Sequence, residues 1–388
     1  MRPSSSAAAP GPSTRAVHAG AAPAHPNAPV VTPLVHSATF YTEPEPTGEV
    51  RYTRYGTNPV HQALGEKLAA LEAAEAALVT GSGMAACAMA LLSLLEAGQH
   101  VVAARALYGG TLVLLRDELP RLGITTTFVD DDGWEAAVRP ETRVLLVEVP
   151  SNPTLRVADL RPLARLARER ELDLVVDATF ATPINLRPLE HGATLVYHSA
   201  TKYLGGHSDV TAGVVAGSAL RVEAVRGRLK SFGASLDPGG AWLLERGVKT
   251  LAVRVERQNR TALALAQWLR AHPAVERVLH PGLEDHPDHA VARALMSGFG
   301  GMLSLVVRGG DEAALALLRR LELFRVAPSL GGVESLVSMP RYTSHAGVER
   351  DERHALGIAD GFVRLSIGIE EEADLRADLE RALAPLGS

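Results

Sequence analysis

The sequence predicts an α/β protein with a mostly parallel central sheet, helices on both faces, and a smaller α/β domain at its C-terminal end. Three observations predict it. From about residue 58, segments of helical period alternate with short apolar runs of strand length. Those runs are apolar nearly throughout, as strands buried on both faces are. Beyond about residue 250 the pattern changes to a long arginine-rich helical stretch and then a second, shorter set of strands.

The elements follow in order. Asn58-Pro59 can cap and open a helix that carries Leu64, Leu68 and Leu71 on one face. Thr80-Gly-Ser-Gly83 breaks the chain before a second helix running from Met84 towards Glu96. Strands are predicted over 100–104, 125–129, 144–149, 172–177, 194–198 and 212–216, with a helix over 159–170. A helix over 249–271 then leads to strands near 301–307 and 361–367. The expected organisation is a tail and arm over 1–55, a large domain over 56–249 and a C-terminal domain over 250–388.

Composition narrows the function classes. The 388 residues exceed one simple core, and 46% hydrophobic with 21% charged residues describes an ordinary globular chain. A net charge of −5 gives no reason to expect nucleic acid or an anionic membrane as partner, and no apolar run is long enough to span a bilayer. The single cysteine, Cys87, excludes an intrachain disulfide, suits a reducing compartment and reads as a packed core thiol. Residues 1–14, rich in Ser, Ala and Pro without a signal-peptide core, read as a flexible tail of a cytoplasmic protein. His272, His280, His286 and His289 lie in a Pro/Asp-rich stretch without paired ligand spacing; they read as a surface loop, and no metal site is expected.

The chemistry concentrates in Tyr197-His-Ser-Ala-Thr-Lys202-Tyr-Leu-Gly-Gly-His207. Only four lysines occur among 39 basic residues, so arginine serves nearly everywhere that charge alone is wanted. A lysine can be tuned to a nucleophilic amine and an arginine cannot. Ser199 and Thr201 offer hydroxyls beside it, and two glycines follow where side chains would crowd a ligand. Gly81-Ser-Gly-Met84 opens a helix whose free amides could hold a phosphate. Asp177 ends an apolar strand, where a carboxylate can face a ring nitrogen or simply cap a helix. Arg364 is a charge inside an apolar strand, which calls for an internal acid or a substrate carboxylate.

These segments together resemble the Cys/Met-metabolism family of pyridoxal phosphate enzymes. The resemblance runs from Thr14-Arg-Ala-Val-His-Ala-Gly20 to Val363-Arg-Leu-Ser-Ile-Gly368, through Tyr52-Thr-Arg54-Tyr-Gly56, Leu107-Tyr-Gly109, Ser151-Asn-Pro153, Asp177-Ala-Thr-Phe-Ala-Thr-Pro183 and Ser329-Leu-Gly-Gly-Val-Glu-Ser335. It implies the fold type I, aspartate-aminotransferase-like architecture and pyridoxal 5'-phosphate as cofactor. It makes Lys202 the Schiff-base lysine, Asp177 the partner of the pyridinium nitrogen and Tyr108 the ring-stacking tyrosine that exchanges protons. Gly83, Met84, Ser199 and Thr201 would hold the phosphate, joined by Tyr52 and Arg54 of a neighbouring subunit. Asn152, Ser329 and Arg364 would surround the carboxylate of an amino-acid substrate. The implied assembly is a homotetramer, a dimer of dimers that share active sites.

The expected activity is γ-replacement or γ-elimination on a homoserine-derived or cystathionine-like amino acid, of the cystathionine γ-synthase or γ-lyase type. The alternatives are an O-acylhomoserine sulfhydrylase, a methionine γ-lyase or, outside the class, a non-catalytic pyridoxal phosphate-binding protein. Four positions depart from common family patterns: Ala178 where many members carry Asn, Gly110 where methionine γ-lyases carry Cys, Pro328 where many members carry Glu, and Thr57 as an extra residue near the phosphate turn.

Overall fold

The computed structural model describes residues 10–21, 25–45, 48, 50–130 and 132–386. Seven strands form the large sheet: β1 (Ala76–Thr80), β2 (His100–Ala104), β3 (Thr125–Val129), β4 (Thr142–Glu148), β5 (Asp173–Asp177), β6 (Leu195–Ser199) and β7 (Gly213–Gly217). Their spatial order is β1-β7-β6-β5-β4-β2-β3, and only β7 runs against the rest. Strand alternation explains how one sheet serves two cores. On β4, Val144 and Leu146 join one buried cluster, while Leu145 and Val147 join the cluster on the opposite face. The helix Gly83–Leu94 covers the first face and Leu160–Glu169 the second.

Local signals explain the helix ends. Asn58 caps Pro59–Glu72 through its side-chain oxygen, which accepts from Val60 N at 3.0 Å, with Pro59 in the first turn. Asp159 caps Leu160–Glu169 in the same way, accepting from Arg161 N at 3.0 Å. The predicted strands over 100–104 and 125–129 match β2 and β3, and the others fall within two residues of their positions.

The small sheet contains β8 (Val275–Leu279), β9 (Met302–Val307), β10 (Arg325–Val326), β11 (Leu336–Ser338) and β12 (Phe362–Ser366), in the order β10-β11-β12-β9-β8. Its two faces differ in chemistry. Leu303, Leu305, Val363 and Leu365 pack under the helices Leu251–Leu269, Gly310–Arg320 and Glu372–Leu383. Arg364 lies in register between Ser304 and Ser338, which share the other face, and all three are buried. Ser304 Oγ donates to Pro153 O at 2.8 Å and so ties this polar face to the loop after β4.

Three expectations need correction. Residues 1–9 of the expected tail lie outside the described residues, but Pro12–His18 is helical with Ala16 buried. Lys67 holds that helix down, its ammonium donating to Val17 O at 3.0 Å and Ala19 O at 2.7 Å. The stretch with four histidines is no surface loop: His272, His280 and His286 are buried. Each closes a turn by accepting, through Nδ1, from a backbone N–H two residues on (Ala274, Gly282 and Asp288). Thr57 is no loose insertion either, since its buried hydroxyl accepts from Tyr52 N at 2.8 Å and pins the preceding segment.

One buried pair anchors β6 to the helix Pro59–Glu72: His198 Nε2 and Glu72 Oε1 stand 2.5 Å apart, both fully enclosed. Burial opposes a charge on His198, but the Glu72 carboxylate and its hydrogen bond outweigh that and raise the pKa. A raised histidine pKa gives stability that is complete below the unfolded value of about 6.5 and is lost as pH rises through the folded value. Glu72→Ala is therefore expected to destabilise the fold by about 3–5 kcal/mol. In calorimetric melts, its Tm deficit relative to wild type should be widest below pH 6.5 and should narrow as pH rises. A deficit that does not change with pH would leave the pair as packing only.

Candidate active site

The carboxyl ends of the large sheet's strands face the polar side of the small sheet across a cavity of about 660 Å³. Glu148, Asp177 and Ser199 end β4, β5 and β6. Tyr108 follows β2, Lys202 stands three residues beyond β6, and Ser329 and Arg364 reach in from the C-terminal part.

Lys202 Nζ donates to Ser329 Oγ at 2.8 Å. Burial lowers the pKa of this amine to about 8, and the nearby Arg364 charge pushes in the same direction. Ser329 holds φ at +95°, a region serine rarely adopts, so its backbone is strained where it meets the lysine.

Arg364 donates from Nη1 to Asn152 Oδ1 at 2.9 Å and from Nη2 to Ser329 O at 3.0 Å. Burial pulls its pKa down to about 10, still well above neutrality. Among the described residues it pairs with no carboxylate, and its buried Nε has no partner. No carboxylate forms a direct ion pair with it there; the buried Glu148 acts on it through space, and the Arg364 charge borders the cavity.

Asp177 accepts from Thr179 N at 2.9 Å and from Thr179 Oγ1 at 2.5 Å. Burial raises its pKa against the pull of those bonds. Turn closure and cavity lining thus coexist in one carboxyl group. Ser82 caps the helix Gly83–Leu94, its Oγ accepting from Ala85 N at 3.0 Å. A Cβ at Gly83 would stand 2.6 Å from the Ser199 Cβ, so only glycine lets this helix terminus meet the end of β6. The leading amides of a helix have no acceptor within it, and Ser199 and Thr201 line the cavity beside them.

Tyr52 and Arg54 do not join this group. Neither lines the cavity; Arg54 is exposed, donates to Lys230 O at 2.5 Å and lies over the Tyr55 ring. The glycines after Lys202 also serve a different purpose from the one expected. A side chain at Gly206 would collide with the Arg254 guanidinium, and one at Gly205 with Val210 and the Ala200 carbonyl, so they make room for protein, not ligand.

Glu148 is the residue that sequence reasoning missed. It is buried and lines the cavity, accepting from Tyr108 N at 2.7 Å and from Asn152 N at 2.8 Å. Burial first, and then the Asp177 charge, push its pKa well above the usual carboxylate range. The available signal was the one that flagged Asp177: an acid at the end of an apolar strand.

The model of the Cys/Met metabolism PLP-dependent enzyme family matches residues 13–384. The chain belongs to that family. It is 43% identical over 378 residues to the cystathionine beta-lyase of Coxiella burnetii, covering 95% of this chain and 97% of that one. It is 42% identical over 366 residues to the L-methionine gamma-lyase of Fusobacterium nucleatum subsp. polymorphum, covering 90% and 92%. The crystal structure of cystathionine gamma-lyase from Lactobacillus plantarum complexed with L-serine superposes with a TM-score of 0.92 at 35% identity, covering 96% and 98%. The fold is therefore that of the family, a large mostly parallel sheet with a smaller C-terminal sheet. Membership makes this a PLP-dependent enzyme of sulfur amino-acid metabolism.

The residues present fit that cofactor. The cavity holds one amine of lowered pKa, a buried carboxyl suited to a cationic ring nitrogen, and hydroxyls and helix amides gathered where Gly83 leaves space. Arg364 borders the cavity with no ion-paired carboxylate, and its guanidinium fork suits an amino-acid carboxylate.

A lysine pKa of about 8 in place of an ordinary ~10.4 means that neutral, nucleophilic amine is present above pH 8 and scarce below it. Attachment of pyridoxal 5'-phosphate to cofactor-free protein should accelerate with pH up to an inflection near about 8. Arg364→Ala, which removes a repelling charge, should move that inflection upward. An inflection above 10 in the wild type would contradict the burial argument.

Proposed function

We propose that this chain carries out γ-elimination or γ-replacement on a homoserine-derived or cystathionine-like amino acid. The observation that carries the reading is the Lys202 amine, lowered in pKa and hydrogen-bonded to Ser329, in one cavity with Asp177, Tyr108 and the charge of Arg364. Bound pyridoxal phosphate supplies an electron sink for the carbanion at the substrate Cα. Asp177 keeps the proton on the ring nitrogen. The Gly83 and Met84 amides with the Ser199 and Thr201 hydroxyls bind the phosphate. Arg364, Asn152 and Ser329 hold the substrate carboxylate, which orients Cα towards Lys202. The Lys202 amine takes the Cα proton. A second proton then leaves Cβ, and the electron pair it leaves behind forms the Cβ=Cγ bond as the γ-group departs. The Tyr108 phenol exchanges a proton with that departing group.

A second reading, β-elimination, is favoured by the 43% identity to a cystathionine beta-lyase. Cystathionine separates the two: γ-elimination releases cysteine, 2-oxobutanoate and ammonia, whereas β-elimination releases homocysteine, pyruvate and ammonia. A panel of cystathionine, methionine and O-acylhomoserines with cysteine or sulfide, read for thiols, oxo acids, ammonia and new thioethers, tests the proposal. We expect γ-products, and loss of turnover by several orders of magnitude in Lys202→Ala. Pyruvate with homocysteine would favour the β-lyase reading. No product from any member of the panel would leave a non-catalytic binding protein.

The proposed assembly is a homotetramer built from dimers that share active sites. Tyr52 and Arg54 do not line their own chain's cavity, and the stretch before them carries exposed Val30, Val31, Leu34 and Tyr41. That is what an arm reaching another copy's phosphate site requires. Mixing inactive Arg54→Ala with inactive Lys202→Ala should restore activity, because one of the two hybrid sites keeps both residues. If subunit exchange is verified and no activity returns, the arm does not complete a neighbouring site.

A further inference from the structure

Glu148 stands at the end of β4 with 5% of its surface exposed, and its two oxygens serve two different loops. Oε2 accepts from Tyr108 N–H at 2.7 Å, in the loop after β2. Oε1 accepts from Asn152 N–H at 2.8 Å, in the loop after β4. The chain of contacts then continues, because Asn152 Oδ1 accepts from Arg364 Nη1 at 2.9 Å. We propose that Glu148 is the positioning residue that fixes the Tyr108 phenol relative to the substrate-carboxylate clamp of Asn152 and Arg364. This inference rests on the functional reading above, which assigns Tyr108 to the leaving group and Arg364 to the carboxylate.

The Tyr108 loop needs an outside fixed point. Its side chain is 45% exposed, and the next two residues are glycines. Gly109 lies against the Ser344 carbonyl, where a Cβ would come within 2.5 Å, and Gly110 lies beneath the Tyr108 ring. Neither glycine brings a side chain that could hold the loop. The bond to Glu148 fixes the Tyr108 backbone instead, and it starts from the end of β4, a strand inside the sheet, where Glu148 is in register with Asp177 of β5. A carboxyl group is the side chain that suits this task. Both of its oxygens accept, so it can meet two N–H donors that approach from different loops.

That requirement dictates the test. In Glu148→Gln the shape is kept, but one oxygen becomes an NH2 donor facing a backbone N–H. Glu148→Asp keeps both acceptors but is one methylene too short to reach both loops. In cofactor-loaded protein, four quantities are read: Tm, cofactor occupancy, kcat and KM with the panel substrate that is turned over, and the calorimetric Kd for L-norleucine. L-norleucine has the amino-acid head and no γ-leaving group, so its binding reports the clamp alone.

We expect Glu148→Gln to keep occupancy and a near-wild-type Tm. KM and the L-norleucine Kd should both rise about tenfold, and kcat should fall, moving kcat/KM towards the roughly hundredfold loss that a 1 Å misplacement causes. Glu148→Asp should fail to restore either. Adding Asn152→Ala to Glu148→Gln should weaken L-norleucine binding less than the two single changes together, because both act through one chain of contacts. The proposal is overturned if folded, loaded Glu148→Gln binds L-norleucine within twofold of wild type. It is also overturned if the loss of activity merely follows a loss of Tm or occupancy. Should Glu148→Gln not fold, Glu148→Asp is read in the same assays, and if neither folds, Glu148 is a determinant of the fold and the proposal is wrong. A wild type that binds L-norleucine yet turns over no panel substrate defeats the functional reading, while the Kd comparison still decides the role of Glu148.

Discussion

A guanidinium buried in the middle of a sheet has to be accommodated by everything near it. Arg364 sits on the central strand of the small sheet, and its charge cannot be removed by deprotonation at neutral pH even though burial lowers its pKa. Serines flank it on both neighbouring strands, where bulkier apolar residues would have cost it solvation. Its bonds go to an amide oxygen and a carbonyl, which orient the fork without neutralising it. The charge is felt nearby. After burial, it is the next cause that lowers the pKa of Lys202, and it adds to the burial that pushes His345 down to about 4. On the proposed reading, the charge that receives a substrate carboxylate also adds to the burial that lowers the Lys202 pKa, so one positive charge serves both purposes.

The same arrangement couples the two sheets. Ser304 on β9 binds the Pro153 carbonyl, Arg364 on β12 binds Asn152, and Lys202 beyond β6 binds Ser329 beside the small sheet. Behind these, Gln258 donates to the Gly332 carbonyl and Val333 N–H to the Gly206 carbonyl, locking the loop after Ser329 onto the lysine segment. Ser329 is the one residue of this set with a strained backbone, and it is held from both sides. Neither sheet contains the site alone. Small relative shifts of the sheets would change the distances at Lys202 and Arg364 together.

Much of this was legible in the sequence because strand burial leaves a local trace. Central strands such as β4 and β5 are apolar on both faces and were found within two residues. β1 was missed because Ala-Ala-Leu-Val-Thr is equally at home in a helix. β8 was missed because it lies at a sheet edge and carries exposed Glu276 and Arg277. Lys202, Asp177 and Arg364 were singled out by residue type and Ser329 by the family resemblance, and the structure gathers them into one cavity. What stayed hidden depends on contacts between distant segments. Gly206 makes room for Arg254, forty-eight positions further on by the sequence numbering, and the buried histidines satisfy turns that no spacing rule announces.

On the proposed reading, Lys202, Asp177 and Arg364 act at Cα, at the ring nitrogen and at the carboxylate, which every substrate of the family presents. They cannot by themselves distinguish relatives that cleave at Cβ from those that cleave at Cγ, and this chain is equally similar to both kinds. The difference between such reactions lies one bond further along the side chain, where the departing sulfur or oxygen meets its proton donor. On that reading the donor is Tyr108, and its ring lies where a Cβ at position 110 would come within 2.7 Å of Cε1 and 3.0 Å of Met84 Sδ. A cysteine at 110 would therefore have to displace the ring, whereas Gly110 lets it settle against the helix Gly83–Leu94. On that reading the charged groups, which are shared, leave the choice of bond open, and the small residue at position 110 bears on where the Tyr108 phenol can stand.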